Sequence, residues 1–211
     1  MKFLILQIEI NFFEKEKFIE FTNVFSETRI NDLENEIDNL CFQTPVLSRS
    51  NQLKVLRDLF RRSNLIKKTL LNKNLIQILK ILTKKEKSRL LFDLAIVDSF
   101  EYPFDKTSTL DELFSFQGLT LGVLIKLDKN KSTDLNYLPK KRGNITFFKS
   151  SLPINLSQIY HLRKQKFLLI GFGNTNTIYK LNKNDANVNY LKEFGYNFGD
   201  QLKDKSHPLI F

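Results

Sequence analysis

Two carboxylates, Asp98 and Asp105, stand where a metal-dependent site could form. Asp98 directly follows a near-continuous apolar run over residues 91–97, and Asp105 comes soon after it. The carboxyl end of a buried strand is where open α/β sheets place ligands, and carboxylates there bind Mg²⁺. The simpler interpretation is a polar loop in which Thr107 or Ser108 caps the next helix. We favour the loop, and we predict no catalytic residue and no metal.

The other residues suited to catalysis or metal binding are few and far apart. His161 and His207 are the only histidines and Cys41 is the only cysteine, so no zinc-ligand spacing and no intrachain disulfide can form. We expect both histidines at the surface or against a nucleic-acid backbone. Residues 171–173 (Gly-Phe-Gly) follow an apolar run, but Asn176 replaces the third glycine of a dinucleotide loop. This predicts a plain turn, and no cofactor is expected.

The charge of the chain is both high and uneven. The net charge is +10 and the pI is about 9.6, which favours a polyanionic partner because neutralised phosphates release their counterions. Residues 14–38 carry eight acidic side chains, whereas residues 49–89 carry thirteen basic and only two acidic ones. This division indicates a polarised surface.

The basic segment has the rhythm of amphipathic helices. Leu53, Leu56 and Phe60 form one apolar stripe, and the pattern repeats over 75–82. We expect the stripes to pack inward while the cations face solvent and bind phosphate, the arginines best because a guanidinium grips phosphate with a fork of donors. The predicted RNA-binding residues are Arg49, Lys54, Arg57, Arg61, Arg62, Lys67, Lys68, Lys73, Lys80, Lys84 and Lys85.

Beyond residue 90, short apolar runs alternate with helical patterns. Runs at 91–97, 121–127, 145–148 and 167–170 predict strands, and the patterns at 109–116, 134–138 and 155–162 predict helices. Strands that alternate with helices imply a parallel sheet, whose buried strands read as continuous apolar runs. The sequence therefore predicts an α/β fold: a small Rossmann-like parallel sheet flanked by helices, with a basic helical extension.

The chain divides into four parts within one globular domain. We assign an N-terminal strand and acidic segment to 1–48, the basic helical segment to 49–90, the α/β core to 91–170, and a C-terminal extension of loops with one short helix to 171–211. No apolar run approaches the ~20 residues that a membrane-spanning helix needs, so no membrane insertion is expected.

Residues 72–170 resemble the bacterial-type large-subunit ribosomal protein L-four family. The helix that begins Asn72-Lys73 and ends Lys84-Lys85 is similar to the basic helix of the family, and residues 94–100 resemble its L-x-V-V-D-x-F strand. Residues 106–110, 122–125, 144–148 and 154–170 resemble its later pieces in the same order. The long Gly- and Arg-rich tunnel loop is missing, because all seven glycines lie at or after Gly118.

The resemblance implies a non-enzymatic constituent of a large ribosomal subunit, with large-subunit ribosomal RNA and neighbouring ribosomal proteins as partners. The missing loop, and a composition typical of an A/T-rich genome, indicate an organelle: the mitochondrial matrix first, and a plastid or apicoplast stroma second. Two other classes stay open. One is a small Rossmann-like Mg²⁺-dependent enzyme that uses Asp98 and Asp105, and the other is a protein-only scaffold subunit of an organellar complex.

Overall fold

The chain folds around a five-stranded sheet in which every neighbouring pair of strands is antiparallel. The computed structural model describes residues 4–43, 56–97, 107–130, 135–160 and 165–210. The strands stand in the order β1-β4-β3-β5-β2. They are β1 (Phe18–Phe21), β2 (Arg89–Ile96), β3 (Phe116–Lys126), β4 (Ile145–Lys149) and β5 (Phe167–Tyr179).

Short polar side chains begin several of the helices. Ser26, Ser63 and Asn72 each accept a hydrogen bond from a free N–H of the first turn that follows. Within the described ranges, no helix has the length and apolar character needed to cross a membrane. The helices are α1 (Gln7–Glu16), α2 (Glu27–Phe42), α3 (Asn64–Leu70), α4 (Lys73–Thr83), α5 (Leu110–Leu113) and α6 (Leu156–Tyr160), with 3-10 helices at Leu59–Arg61 and Tyr190–Phe194.

The predicted parallel, Rossmann-like sheet is wrong. The four predicted strands exist as β2 to β5, but each runs against its neighbours. All eight residues of β2 are buried, as are the first seven of β5. A sheet that is covered on both faces gives continuous apolar strands whichever way they run. The apolar runs therefore carried no information about strand direction.

The predicted helices differ in outcome. The stripe over 75–82 is confirmed as α4, which buries its apolar side. The patterns at 109–116 and 155–162 correspond to the shorter helices α5 and α6, and no helix forms over the described residues 135–138. Where the stripe through Leu56 and Phe60 is described, it is no α-helix, because residues 56–57 lie beside β2 and a 3-10 helix follows.

The two ends of the chain also differ from prediction. The alternating N-terminus does not form a strand in its described part, where helix α1 begins at Gln7. Residues 171–173 lie inside β5 rather than in a turn. The loop-rich extension predicted from residue 171 begins only after β5, which continues to Tyr179; from there to residue 210 the chain consists mainly of turns with one 3-10 helix.

Two phenylalanines fill the middle of one sheet face by lying over two glycines. Phe92 of β2 pairs with Gly171 of β5, Gly171 with Gly122 of β3, and Gly122 with Phe148 of β4. A Cβ atom at Gly171 would lie 2.2 Å from the Phe92 ring, and one at Gly122 would lie 2.4 Å from the Phe148 ring. The aromatic rings therefore occupy the space that side chains would take at both positions.

Gly171→Ala is expected to destabilise the protein by about 1–3 kcal/mol, because the added methyl group overlaps the Phe92 ring. Adding Phe92→Leu should recover part of that loss, since the smaller side chain vacates the position. Urea unfolding of the wild type, both single variants and the double variant measures this coupling. Strictly additive losses would show that the ring is not what excludes a side chain at position 171.

Candidate functional site

The edge of β2 holds a buried turn that one carboxylate positions. Residues 56–57 run antiparallel beside β2, and Asp58 then turns with a left-handed backbone (φ 54°). The two oxygens of Asp93 accept hydrogen bonds from the amides of Leu59 (2.8 Å) and Phe60 (3.0 Å). These amides begin a 3-10 helix and would otherwise lack partners. Asp93 thus fixes the turn from which the neighbouring charged side chains project.

Arg57 is enclosed by aromatic rings and one carboxylate. Its side chain is 2% exposed, and Nη1 pairs with Asp185 at 3.5 Å. Asp185 also accepts a hydrogen bond from the Ser115 amide at 2.8 Å, which ties the C-terminal region to the residue before β3. The guanidinium carbon lies 5.3–5.7 Å from four ring centres, where cation–π attraction gains strength away from water. The rings are those of Phe92, Phe114, Phe116 and Tyr190.

Asp58 and Arg61 carry opposite charges but form no ion pair with a described residue. Both carboxylate oxygens of Asp58, and Nε and Nη2 of Arg61, are buried without a hydrogen-bond partner. The Arg61 guanidinium instead lies 4.6 Å from the ring centre of Phe60 and 4.8 Å from that of Phe194. The Tyr190 hydroxyl and the Asp93 backbone lie close to Asp58, and both lower the pKa of its carboxyl group. Such atoms mark a place where a polar ligand or water completes the structure.

His207 completes a buried polar cluster from the C-terminal side. The other members of this cluster are Arg57, Asp58, Arg61, Asp93 and Asp185. Its ring is fully buried, Nδ1 lies 3.1 Å from the Ser206 hydroxyl, and Nε2 has no partner. Arg89 holds this segment, since it donates hydrogen bonds to the carbonyls of His207 (2.5 Å) and Thr175 (3.0 Å). The predicted surface position of His207 is wrong, because the C-terminal segment folds back beside Arg89 at the edge of the sheet.

Burial shifts the pKa values of these groups in opposite directions. Burial, reinforced by the nearby charge of Asp58, raises the pKa of Asp93 to about 7. Burial also raises the pKa of Asp58, against the effect of two neighbouring arginines. Burial, together with three arginines, lowers the pKa of His207 to about 3. At neutral pH the imidazole is therefore uncharged, while Asp93 is partly protonated.

A second buried ionic group is complete without a ligand. Lys126, fully buried at the end of β3, donates hydrogen bonds to Asp128 (3.1 Å) and Gln165 (3.0 Å). Asp128 also accepts a hydrogen bond from the Lys166 amide at 2.7 Å. Burial lowers the pKa of Lys126. Because its donors are all used, this network ties β3 to the start of β5 and leaves no Lys126 donor for a substrate.

The structure separates the predicted RNA-binding residues into different environments. Arg49 and Lys54 lie outside the described residues. Arg57 and Arg61 belong to the buried cluster, so Arg57 is not available to a phosphate in this structure. A role of the remaining side chains in binding RNA stays a prediction from the sequence. These exposed or half-buried residues are Arg62, Lys67, Lys68, Lys73, Lys80, Lys84 and Lys85.

Sequence reasoning missed the acidic members of the cluster. Asp93 interrupts an apolar run, and a charge inside a buried strand was the available sign of a partnered carboxylate. Asp185 gave no local signal, because it lies 128 residues along the chain from Arg57. The candidate metal ligands Asp98 and Asp105, like His161, lie outside the described residues. In the described part of the chain, no three His, Cys, Asp or Glu side chains converge to hold a metal.

The fold is similar to that of solved α-ketoglutarate-dependent enzymes. The non-heme carbocyclase SnoK from nogalamycin biosynthesis superposes with a TM-score of 0.71 at 12% identity, over 98% of this chain and 97% of that one. The epimerase SnoN, in complex with Fe³⁺, α-ketoglutarate and nogalamycin RO, gives 0.69 at 12% identity over 97% and 98%. HygX from Streptomyces hygroscopicus, with nickel and 2-oxoglutarate bound, gives 0.57 at 13% identity over 81% and 88%. At such identities the likeness shows the fold alone.

No protein-family profile matches the chain, and no curated protein is similar to it in sequence. The structural neighbours nevertheless overturn the resemblance to the ribosomal L-four family. The pieces that suggested it instead build an antiparallel, jelly-roll-like sheet of a kind found in enzymes. Short amphipathic pieces occur in unrelated folds, because the same pattern of burial arises in each.

The functional expectations attached to that resemblance fall with it. A non-enzymatic ribosomal constituent, with ribosomal RNA and ribosomal proteins as partners, is wrong for a chain with this fold. The alternatives of a Rossmann-like Mg²⁺-dependent enzyme and a protein-only scaffold subunit find no support either, the first because the sheet is antiparallel.

The opposed pKa shifts predict how the free energy of unfolding depends on pH, and single variants allow each contribution to be measured separately. The pKa of Asp93 rises on folding to about 7, so the folded state holds more protons from about pH 4 upward and stability falls as pH rises. The pKa of His207 falls on folding to about 3, so stability rises with pH up to about pH 6.5. In the wild type the two effects oppose one another across this window.

His207→Gln should therefore give a free energy of unfolding that falls between about pH 4 and about pH 7, and Asp93→Asn one that rises up to about pH 6.5, each by at most a few kcal/mol. The pKa of Asp58 is also raised, so this residue should make the free energy of unfolding fall more steeply in His207→Gln and rise less steeply in Asp93→Asn. Urea unfolding at a series of pH values measures both slopes, with the exposed Asp32→Asn as control. Slopes of the same sign in both variants would contradict this assignment.

Proposed function

We propose that this protein is an enzyme that converts a small organic molecule, with the buried polar cluster as its acid–base machinery. The observation that carries the proposal is the near-complete overlap of the chain with SnoK and SnoN, a carbocyclase and an epimerase of nogalamycin biosynthesis. Because a fold alone does not determine an activity, the proposed chemistry depends on the residues of the cluster. Ionisable groups with shifted pKa values that lack partners are typical of functional sites.

The described residues do not fit an iron centre of the kind that a non-heme α-ketoglutarate-dependent enzyme uses. Such iron takes two histidines and one carboxylate. Of the two histidines in the sequence, His207 is surrounded by the charges of three guanidinium groups, which disfavour a metal cation at its ring as they disfavour a proton. His161, Asp98 and Asp105 lie outside the described residues. The proposed reaction therefore has no step that passes through a metal.

The cluster offers a base, an acid and a cation. Burial raises the pKa of Asp58, which makes its carboxylate a better proton acceptor. Burial also raises the pKa of the Tyr190 phenol, so this group stays protonated and suits a proton donor. Arg61 suits an anionic part of the substrate, since Nε and Nη2 have no other partner. Asp93 is a positioning residue, because backbone amides occupy its oxygens.

The cluster is closed in this structure. Asp58 is 2% exposed, and the 3-10 helix Tyr190–Phe194 places its aromatic rings over Arg57 and Arg61. A substrate enters when this 3-10 helix moves aside, and its return excludes water from the reacting groups. The organellar location expected from the sequence composition stays a separate prediction.

Incubation of the purified protein with a small-metabolite extract, followed by mass spectrometry, tests the proposal. We expect at least one compound to be consumed, and Asp58→Asn to slow this by about a hundredfold or more, as expected for loss of a general base. The exposed Asp32→Asn makes the same chemical change and should leave the rate unaltered. Added Fe²⁺ and α-ketoglutarate should release no succinate.

Two results would count against the proposal in different ways. Iron-dependent formation of succinate would contradict the metal-independent mechanism. If no compound is consumed by folded wild-type protein, the assignment as an enzyme is wrong.

A further inference from the structure

The buried polar atoms without partners are concentrated in one place. Ten such side-chain atoms occur among the described residues, and six of them belong to Arg57, Asp58, Arg61 and His207. Asp58 and His207 are 2% and 0% exposed, so solvent does not satisfy them. Native proteins leave few buried polar groups unpaired, and a local concentration of such groups points to a site that receives the polar groups of a ligand.

Arg61 presents the edge of its guanidinium that binds a two-oxygen anion. Nε and Nη2 lie on the same side of the planar group, and both are buried without a partner. Their two N–H bonds point in parallel, which matches the two oxygens of a carboxylate. The rings of Phe60 and Phe194 hold the guanidinium 4.6 Å and 4.8 Å from their centres. The fork is therefore fixed in place before a ligand arrives.

Asp58 supplies the complementary half of the pattern. Its two oxygens are acceptors without a donor, three residues before Arg61 in the chain. A ligand that brought only an anion to Arg61 would leave this carboxylate unpaired and would repel it. A ligand that also brings a cationic donor satisfies both groups and keeps the buried charges balanced.

From this juxtaposition we infer that the cluster binds a free α-amino acid, with its carboxylate on the Nε/Nη2 edge of Arg61 and its ammonium on Asp58. The inference rests on the proposed function, because it names the substrate class of the same site. A zwitterion adds no net charge to the buried site, and its two ionic groups meet the two unpaired ones of the protein. The aromatic walls formed by Phe60, Phe194 and Tyr190 favour an apolar side chain.

The competing arrangement is a direct ion pair between Asp58 and Arg61. The structure disfavours it, because Arg61 stacks between Phe60 and Phe194 and leaves its donor edge unpaired. The backbone at Asp58 is left-handed, and the amides of Leu59 and Phe60 donate hydrogen bonds to Asp93. Together they hold the Asp58 carboxylate in a turn, without an ion pair to Arg61. The two charges therefore remain available to a third group.

Calorimetric titration of the full-length protein with each of the twenty common L-amino acids tests the inference. We expect at least one amino acid with an apolar side chain to bind. Its amine analogue, which lacks the carboxylate, and its carboxylic acid analogue, which lacks the ammonium, should each bind about tenfold to a hundredfold more weakly, because each loses a charged hydrogen-bonding group. Both analogues are tested on the wild-type protein, so this comparison does not require any variant to fold correctly.

Variants separate the two halves of the site. Arg61→Lys removes the fork of donors but keeps the positive charge, and Asp58→Asn removes the negative charge but keeps the shape of the side chain. Each variant should bind the amino acid about tenfold or more weakly than the wild type. The adjacent exposed Arg62→Lys is the matched control and should leave the affinity unchanged. Asp58→Asn should not change the affinity for the carboxylic acid analogue, because this ligand has no ammonium group to pair with Asp58. If Asp58 had a purely structural role, the variant would bind both ligands more weakly to the same extent.

The outcomes distinguish this inference from the proposed function. If no amino acid binds folded wild-type protein at about 10 mM, well above usual substrate affinities, or if the carboxylic acid analogue binds as tightly as the amino acid, the inference is overturned. If a different metabolite is consumed in an Asp58-dependent manner, the protein is still an enzyme and only the substrate class is wrong. An amino acid that binds but is never converted supports the site and contradicts the enzymatic function.

Discussion

The hydrogen bonds from the amides of Leu59 and Phe60 to the Asp93 carboxylate are the interaction on which the polar cluster depends. They join a turn at the sheet edge to strand β2. They also satisfy the buried carboxylate of Asp93, which forms no ion pair with a described residue. They also hold Asp58 in a left-handed conformation that a non-glycine residue adopts only at a cost. The turn that these two bonds fix carries Asp58 and Arg61.

The ionisable groups of this cluster are buried but not fully paired, and this explains why their pKa values shift in opposite directions. Burial favours the neutral forms of the two aspartates and of His207, so carboxyl pKa values rise while that of the imidazole falls. Within this cluster, the Arg57 guanidinium is paired with the Asp185 carboxylate. By contrast, the Lys126–Asp128–Gln165 group is equally buried but fully bonded. The fully bonded Lys126 network stabilises the fold, whereas the partly unpaired cluster has the donors and acceptors that a bound ligand would satisfy.

The fold and the site make separate statements about function. The likeness to SnoK covers nearly the whole chain, yet identity is 12%, and the described residues assemble no set of metal ligands. A shared scaffold can host different chemistries, since its packing depends on burial whereas its reactions depend on a few side chains. Here the row Phe92–Gly171–Gly122–Phe148 fills the middle of one sheet face with aromatic rings. The groups suited to chemistry lie instead at the sheet edge, beside β2.

The sequence by itself determined part of the local structure: the amphipathic helix Lys73–Thr83, the apolar runs of four strands, and the turns beyond β5 follow from periodicity and composition. It did not determine how those strands pair, because burial on both faces looks the same in parallel and antiparallel sheets. Nor could it show that Arg57, in a basic segment, turns inward to meet Asp185 at a separation of 128 residues. Only the tertiary structure decides such pairings, since they depend on which distant segments share one desolvated space.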